Sequence, residues 1–218
     1  KVGIIDSMFD VDHPDLASRF DKTWNNPADE AGNCQVDDLY QDARDHTKQG
    51  EQVPSTTLHG THVAGIIAAE GGNGTGITGI SQNARLYGYA MKSDDAGESA
   101  AGQWGSVFQY KHALASLLNE GVKIVNISMG CSQAFHEIPQ GNPYWITYID
   151  SFNESMSRFL QQYIEEGREF LIVKAAGNEG LDAENDMFSG ITEEAVRSRV
   201  LVVGSATAVT NPYAAFRA

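Results

Sequence analysis

The sequence predicts an α/β fold: a mostly parallel, twisted sheet with helices against both faces, three layers in all. Two observations carry this. Five short apolar runs are rich in β-branched residues and lack polar alternation, which suits strands buried on both sides. Helical periodicity fills the spaces between them, and strand alternating with helix is the signature of βαβ units with right-handed crossovers. A chain of 218 residues can bury one sizeable core, so a single domain over 1–218 is expected.

The first run, Lys1–Ile5, ends on Asp6. A long acidic loop, Asp21–Leu58, follows, with Asp37, Asp38, Asp42 and Asp45. His59-Gly60-Thr61-His62-Val63-Ala64-Gly65 opens a helix of small residues, and Gly71–Gly79 connects it to the second run, Arg85–Met91. After the loop Lys92–Gly102, the stripe Val107, Tyr110, Leu114, Leu117 and Leu118 predicts a helix that stops at Gly121. Lys123–Ser128 is the third run, and Cys131–Tyr148 reads as a loop holding Pro139, Gly141, Pro143, Tyr144 and Trp145. Phe152, Met156, Phe159, Leu160, Tyr163 and Ile164 form the next stripe, stopped at Gly167. Phe170–Ala176 and Arg199–Ala206 complete the sheet.

Bulk properties exclude several partners. A formal net charge of −14 disfavours nucleic acid and anionic membrane surfaces, and leaves either solubility or attraction of cationic substrates and calcium. No apolar run approaches the roughly 20 residues needed to span a bilayer. No signal peptide is visible, and because the chain opens directly on a strand, residues upstream of it are expected. Cys34 and Cys131 are far apart and form no Cys-x-x-Cys pair; they suit either one disulfide or two buried thiols.

In a parallel sheet, ligands bind beyond the carboxyl ends of the strands. Asp6, the segment Ser128-Met129-Gly130 and Asn178 all fall at such ends. A carboxylate at a buried strand end needs donors, and Ser7 and a histidine N–H can supply them; the alternative is a structural cap. His59 and His62, three apart, share a helix face and could instead form a metal pair with Asp6, although no Glu sits between them. Asn178, on a Gly-flanked turn, either bends the backbone or points an amide at a developing oxyanion. Gly74-Thr75-Gly76-Ile77-Thr78-Gly79 matches Gly-x-Gly-x-x-Gly, but it leads from helix to strand, the reverse of what phosphate binding needs. Asn73-Gly74-Thr75 and Asn153-Glu154-Ser155 fit the short glycosylation pattern.

Taken together, Val2-Gly3-Ile4-Ile5-Asp6-Ser7, His59-Gly60-Thr61-His62-Val63-Ala64-Gly65 and Ala175-Ala176-Gly177-Asn178-Glu179-Gly180 resemble the subtilisin-like serine proteases, the subtilases, in order and kind. Gly79-Ile80-Ser81-Gln82-Asn83-Ala84-Arg85-Leu86 resembles that family's entry into its next strand, with Ser-Gln for Ala-Pro. The resemblance implies a subtilisin-like fold and peptide-bond hydrolysis through an acyl-enzyme. His59 is then general base and acid, Asp6 orients it, and Asn178 serves the oxyanion hole. Ser128-Met129-Gly130 would pair with substrate backbone, and Ala175-Ala176-Gly177 would wall the specificity pocket. Peptide or protein substrates, a propeptide or inhibitor, and a secreted or cell-surface place follow from the same resemblance, with an intracellular place left open. The chemistry requires no cofactor. A structural calcium ion is a loose match at Asn73, with an acid from Asp37 or Asp38. Glu179 would favour a basic side chain in the pocket, and Tyr144 and Trp145 either shape a subsite or pack on the following helix.

The Gly-Thr-Ser nucleophile segment of that family does not occur here. Ser128, Ser132, Ser189 and Ser205 all lack the motif. The chain is therefore expected to be a fragment whose serine lies elsewhere, with little activity alone; an inert peptide-binding domain of the same fold is the alternative.

Overall fold

A computed structural model of the chain describes residues 1–7, 9–24, 55–91, 107–130, 142–178 and 183–205. The strands are β1 (Val2–Asp6), β2 (Leu86–Ala90), β3 (Ile124–Ile127), β4 (Leu171–Ala175) and β5 (Val200–Val203). The helices are α1 (Ser55–Ala68), α2 (Val107–Asn119), α3 (Pro143–Glu165) and the single turn α4 (Glu194–Arg197). The strands form one sheet in the order β2-β1-β3-β4-β5. β1 and β2 run parallel with Asp6 opposite Ala90, and β4 and β5 run parallel with Ala175 opposite Val203. All five predicted strands and the three predicted helices are present; most strand ends shift by one residue, β5 ends three residues early at Val203, and α4 was not foreseen. Two compact units divide the chain, Lys1–Asp94 with His112–Asn126 and Asp95–Lys111 with Ile127–Ala218.

The first unit is organised around α1. Ala64, Ala68 and Ala69 are fully buried and pack with Ile4, Phe9, Leu16 and Phe20. Their small side chains let the helix lie close to its neighbours. The chain that follows turns back and satisfies the helix's terminal carbonyls. Ile80 N donates to Ile66 O at 3.0 Å, Ser81 N to Ile67 O at 2.8 Å, and Gly79 N to Ala69 O at 3.0 Å. Only glycine fits at position 79, because a Cβ there would collide with the backbone nitrogens of Ala68 and Ala69. The helix begins at Ser55, so the predicted loop to Leu58 is too long, and His59 is its fifth residue.

The second unit is held by aromatic rings. Tyr110, Phe152 and Phe188 meet edge to face at centroid separations of 5.3–5.6 Å, all buried. The stripe on α3 is as predicted for Phe152, Met156 and Leu160, whereas Phe159, Tyr163 and Ile164 are half-buried. α3 also starts earlier than expected, inside the segment read as loop. Asn142 is its N-cap, accepting from Tyr144 N at 2.9 Å, and Pro143 follows as the first helical residue, where a missing N–H costs nothing. Trp145 and Ile149 extend the buried stripe, so Trp145 packs in the helix, while Tyr144 is exposed. Gly167 ends α3 with φ +75°; its N–H reaches Ile164 O and that of Arg168 reaches Tyr163 O, both at 2.9 Å. Asn153 is buried inside α3, which removes it as a glycosylation acceptor. β5 departs from the two-sided burial expected of it: Leu201 and Val203 are half exposed.

The close approach at Gly79 is testable by urea unfolding. We expect Gly79→Ala to cost more than about 3 kcal/mol. Gly72→Ala should cost about 1–2 kcal/mol, since only its φ of +80° opposes a side chain there.

Candidate active site

The site grows from the end of β1. Three apolar residues of the strand, Ile4 and Ile5 among them, carry the chain into the core and deliver Asp6 there with 0 % exposure. A carboxylate so placed must be satisfied by donors. Three converge on one oxygen, Oδ1: Ser7 N at 2.7 Å, Ser7 Oγ at 3.2 Å and His59 Nδ1 at 2.6 Å. The other oxygen, Oδ2, is buried with no hydrogen-bond partner among the described residues. The sequence reading of Asp6 as acceptor for Ser7 and a histidine is met in full.

His59 bridges the protein interior and solvent, with its side chain 51 % exposed. Donation from Nδ1 to Asp6 leaves Nε2 as the lone-pair nitrogen, the tautomer a general base requires. The hydrogen bond to Asp6 is the main influence on the ring and raises its pKa above the ordinary imidazole value; partial burial opposes this, and the charge of Asp6 adds to it. A second link was not visible in the sequence. Asp10 N donates to Thr61 Oγ1 at 2.9 Å, so the segment after β1 is tied to α1 two residues beyond His59. His62 is exposed on α1. Among the described residues, no group of three His, Cys, Asp or Glu side chains is gathered for a metal, and His59, His62 and Asp6 form none.

The predicted oxyanion and substrate-binding residues belong to the second unit. Ser128, Met129 and Gly130 directly follow β3 and are half-buried. Ala175 ends β4, Ala176 N donates to Val203 O at 2.9 Å, and Gly177 turns the chain with φ +95°. Asn178 follows on that turn and is exposed. Glu179, Cys34, Cys131, Ser132, Asp37, Asp38, Asp42 and Asp45 lie outside the described residues.

Asn73 has a partner that the sequence reading missed. Its Nδ2 donates to Asp15 Oδ1 at 2.7 Å, its Oδ1 accepts from Thr75 N at 3.0 Å, and Ile77 N donates to Asp15 Oδ2 at 2.9 Å. Asp15 is buried, and the bond from Asn73, then that from Ile77, holds its carboxyl below the usual carboxylate range. The donors facing Asp15 are N–H groups. A calcium ion would need oxygens there, so the carboxylate fits and the Asn73 amide fits only when turned to present its oxygen.

The chain belongs to the subtilase family, whose model matches residues 1–217. It is 27 % identical over 180 residues to subtilisin of Bacillus sp. strain TA39, covering 83 % of this chain and 34 % of that protein. It is 29 % identical over 214 residues to the minor extracellular protease Vpr of Bacillus subtilis, covering 98 % of this chain and 21 % of that protein. The chain thus spans about a third or less of the length of these curated relatives. Among solved structures, the epidermin leader peptide processing serine protease of Staphylococcus aureus aligns at a TM-score of 0.50 and 16 % identity, over 94 % of this chain and 46 % of that one. The serine protease of Aeromonas sobria aligns at 0.50 and 23 %, over 82 % and 25 % of the two chains. These two likenesses show the fold.

The Asp6–His59 bond sets a pH dependence with a definite sign. Because the folded pKa of His59 is raised, the stability it lends is fully present below the unfolded value of about 6.5 and is lost as pH rises through the folded value. We expect an NMR titration of His59 to give a midpoint above that of a free histidine. Asp6→Asn should bring it down.

Proposed function

We propose that the protein hydrolyses peptide bonds by acyl transfer to a serine hydroxyl, with the serine supplied from outside these 218 residues. The observation that supports this most is the 2.6 Å contact from His59 Nδ1 to the buried Asp6 carboxylate, in a chain of the subtilase family. On this reading His59 Nε2 takes the hydroxyl proton as the oxygen attacks the scissile carbonyl carbon. Asp6 stabilises the imidazolium that results, which the raised pKa of His59 favours. Asn178 donates from its amide to the tetrahedral oxyanion. The C–N bond then breaks as the imidazolium returns its proton to the leaving amine. Water repeats the sequence on the acyl-enzyme.

Substrate backbone would add as a strand along Ser128-Met129-Gly130, with Ala175-Ala176-Gly177 opposite the side chain that enters the pocket. A propeptide or protein inhibitor would occupy the same edge, and the protein would act outside the cell or at its surface. A structural calcium ion would have to displace the N–H donors that now hold the Asp15 and Asn73 oxygens, and would take no part in the chemistry.

The test is turnover of a peptide ester and labelling by a fluorophosphonate in the full-length protein. We expect His59→Ala to lower kcat by about 10⁴-fold or more. Asn178→Ala should lower it by about 10²–10³-fold, the magnitude known for the oxyanion asparagine of subtilisin itself. Unchanged turnover in His59→Ala, or no labelled serine in the full-length protein, would contradict the reading.

A further inference from the structure

We propose that Lys174 is a positioning residue for the turn that carries Asn178, acting through its ion pair with Asp186; this rests on the reading of Asn178 as an oxyanion donor. Lys174 sits inside the otherwise apolar strand Leu171-Ile172-Val173-Lys174-Ala175 and is 0 % exposed. An ammonium group is costly to bury unless it is paired and hydrogen-bonded. Its Nζ lies 2.9 Å from Asp186 Oδ2 and donates to the carbonyl oxygen of Ala175 at 2.5 Å.

The second bond gives the pair its direction. The peptide between Ala175 and Ala176 is held at both polar ends: its oxygen by Lys174, and its N–H by Val203 O at 2.9 Å. The next residue, Gly177, has φ +95° and swings the chain into Asn178. The tilt of that peptide plane sets the direction in which the chain leaves the strand, two residues before Asn178.

Asp186 is itself anchored to the body of the unit. Its Oδ1 accepts from Met187 N at 2.7 Å, and its backbone oxygen accepts from Asn153 Nδ2 at 3.2 Å. Asn153, buried on α3, also accepts from Phe188 N at 2.7 Å. Phe188 holds a left-handed φ of +66° with its ring against Tyr110 and Phe152. A bonded path thus runs from α3 through Asp186 and Lys174 to the Ala175–Ala176 peptide. Buried ion pairs are often replaceable by apolar residues without loss of stability. On this proposal the pair is kept for the geometry it fixes at the turn.

The test is a double-mutant cycle in the full-length protein. Lys174→Met and Asp186→Asn are each measured alone and in an Asn178→Ala background. We expect each alone to lower kcat by about tenfold or more with KM little changed. In the Asn178→Ala background the same changes should alter kcat by less than about twofold. Equal losses in both backgrounds, or no loss in either, overturn the proposal. If Asn178→Ala leaves kcat intact while His59→Ala abolishes it, the oxyanion reading falls and this proposal with it. Because one unpaired buried charge can unfold the unit, Lys174→Met/Asp186→Leu removes both together. Its melting temperature should recover while kcat does not, and recovery of both overturns the positioning role.

Discussion

A carboxylate carried into the core on the last residue of a strand is the constraint around which the first unit is arranged. Asp6 has no solvent to stabilise it, so it depends on donors supplied by the fold. Ser7 gives two and His59 gives one, all to the same oxygen. For His59 to reach it, α1 must come close to β1, and that is where the small residues act. Ala64, Ala68 and Ala69 bring the helix in, and Gly79 lets the returning chain press on its carboxyl end. The bond from Asp10 N to Thr61 Oγ1 secures the same approach a second time. The hydrogen bond and the packing are thus one requirement at this place: what brings the imidazole within 2.6 Å also buries the apolar core.

The second unit solves a related problem with different groups. Its polar residues at the end of β4 sit on a turn that needs a defined exit direction, since Gly177 alone would allow many. A buried ammonium on one end of a peptide and a strand carbonyl on the other restrict it. Polar groups placed beyond the carboxyl ends of parallel strands are a general property of such sheets. What is particular to this chain is that a buried lysine of β4, paired with Asp186 outside the sheet, holds the Ala175–Ala176 peptide where the strand ends.

Much of this was legible from residue order because the signals were local. Alternating apolar strands and helical stripes gave the sheet and its helices, and Gly121 and Gly167 ended two helices where expected, each with positive φ. The strand-end acid called for donors, a histidine among them; that the histidine is His59 followed from the subtilase resemblance. The misses have physical causes. Pro143 was read as a loop residue, although Asn142-Pro143 is a helix start, and the spacing of Trp145, Ile149 and Phe152 would have shown it. β5 was assumed to be covered on both sides, yet among the described residues it stands at the end of the sheet order. Asp15 could not be matched to Asn73 because 58 residues separate them, and nothing local marks the pairing. Lys174 passed unremarked inside an apolar run, where its partner, Asp186, becomes visible only once β4 and the segment after it are folded together.

The direct test of the central claim is the protonation state of His59 observed by nitrogen-resolved NMR of the imidazole above its pKa. The account requires the proton on Nδ1, in a strongly deshielded hydrogen bond that disappears in Asp6→Ala, and a bare Nε2. A neutral ring protonated on Nε2, with an Nδ1 environment indifferent to Asp6, would contradict it.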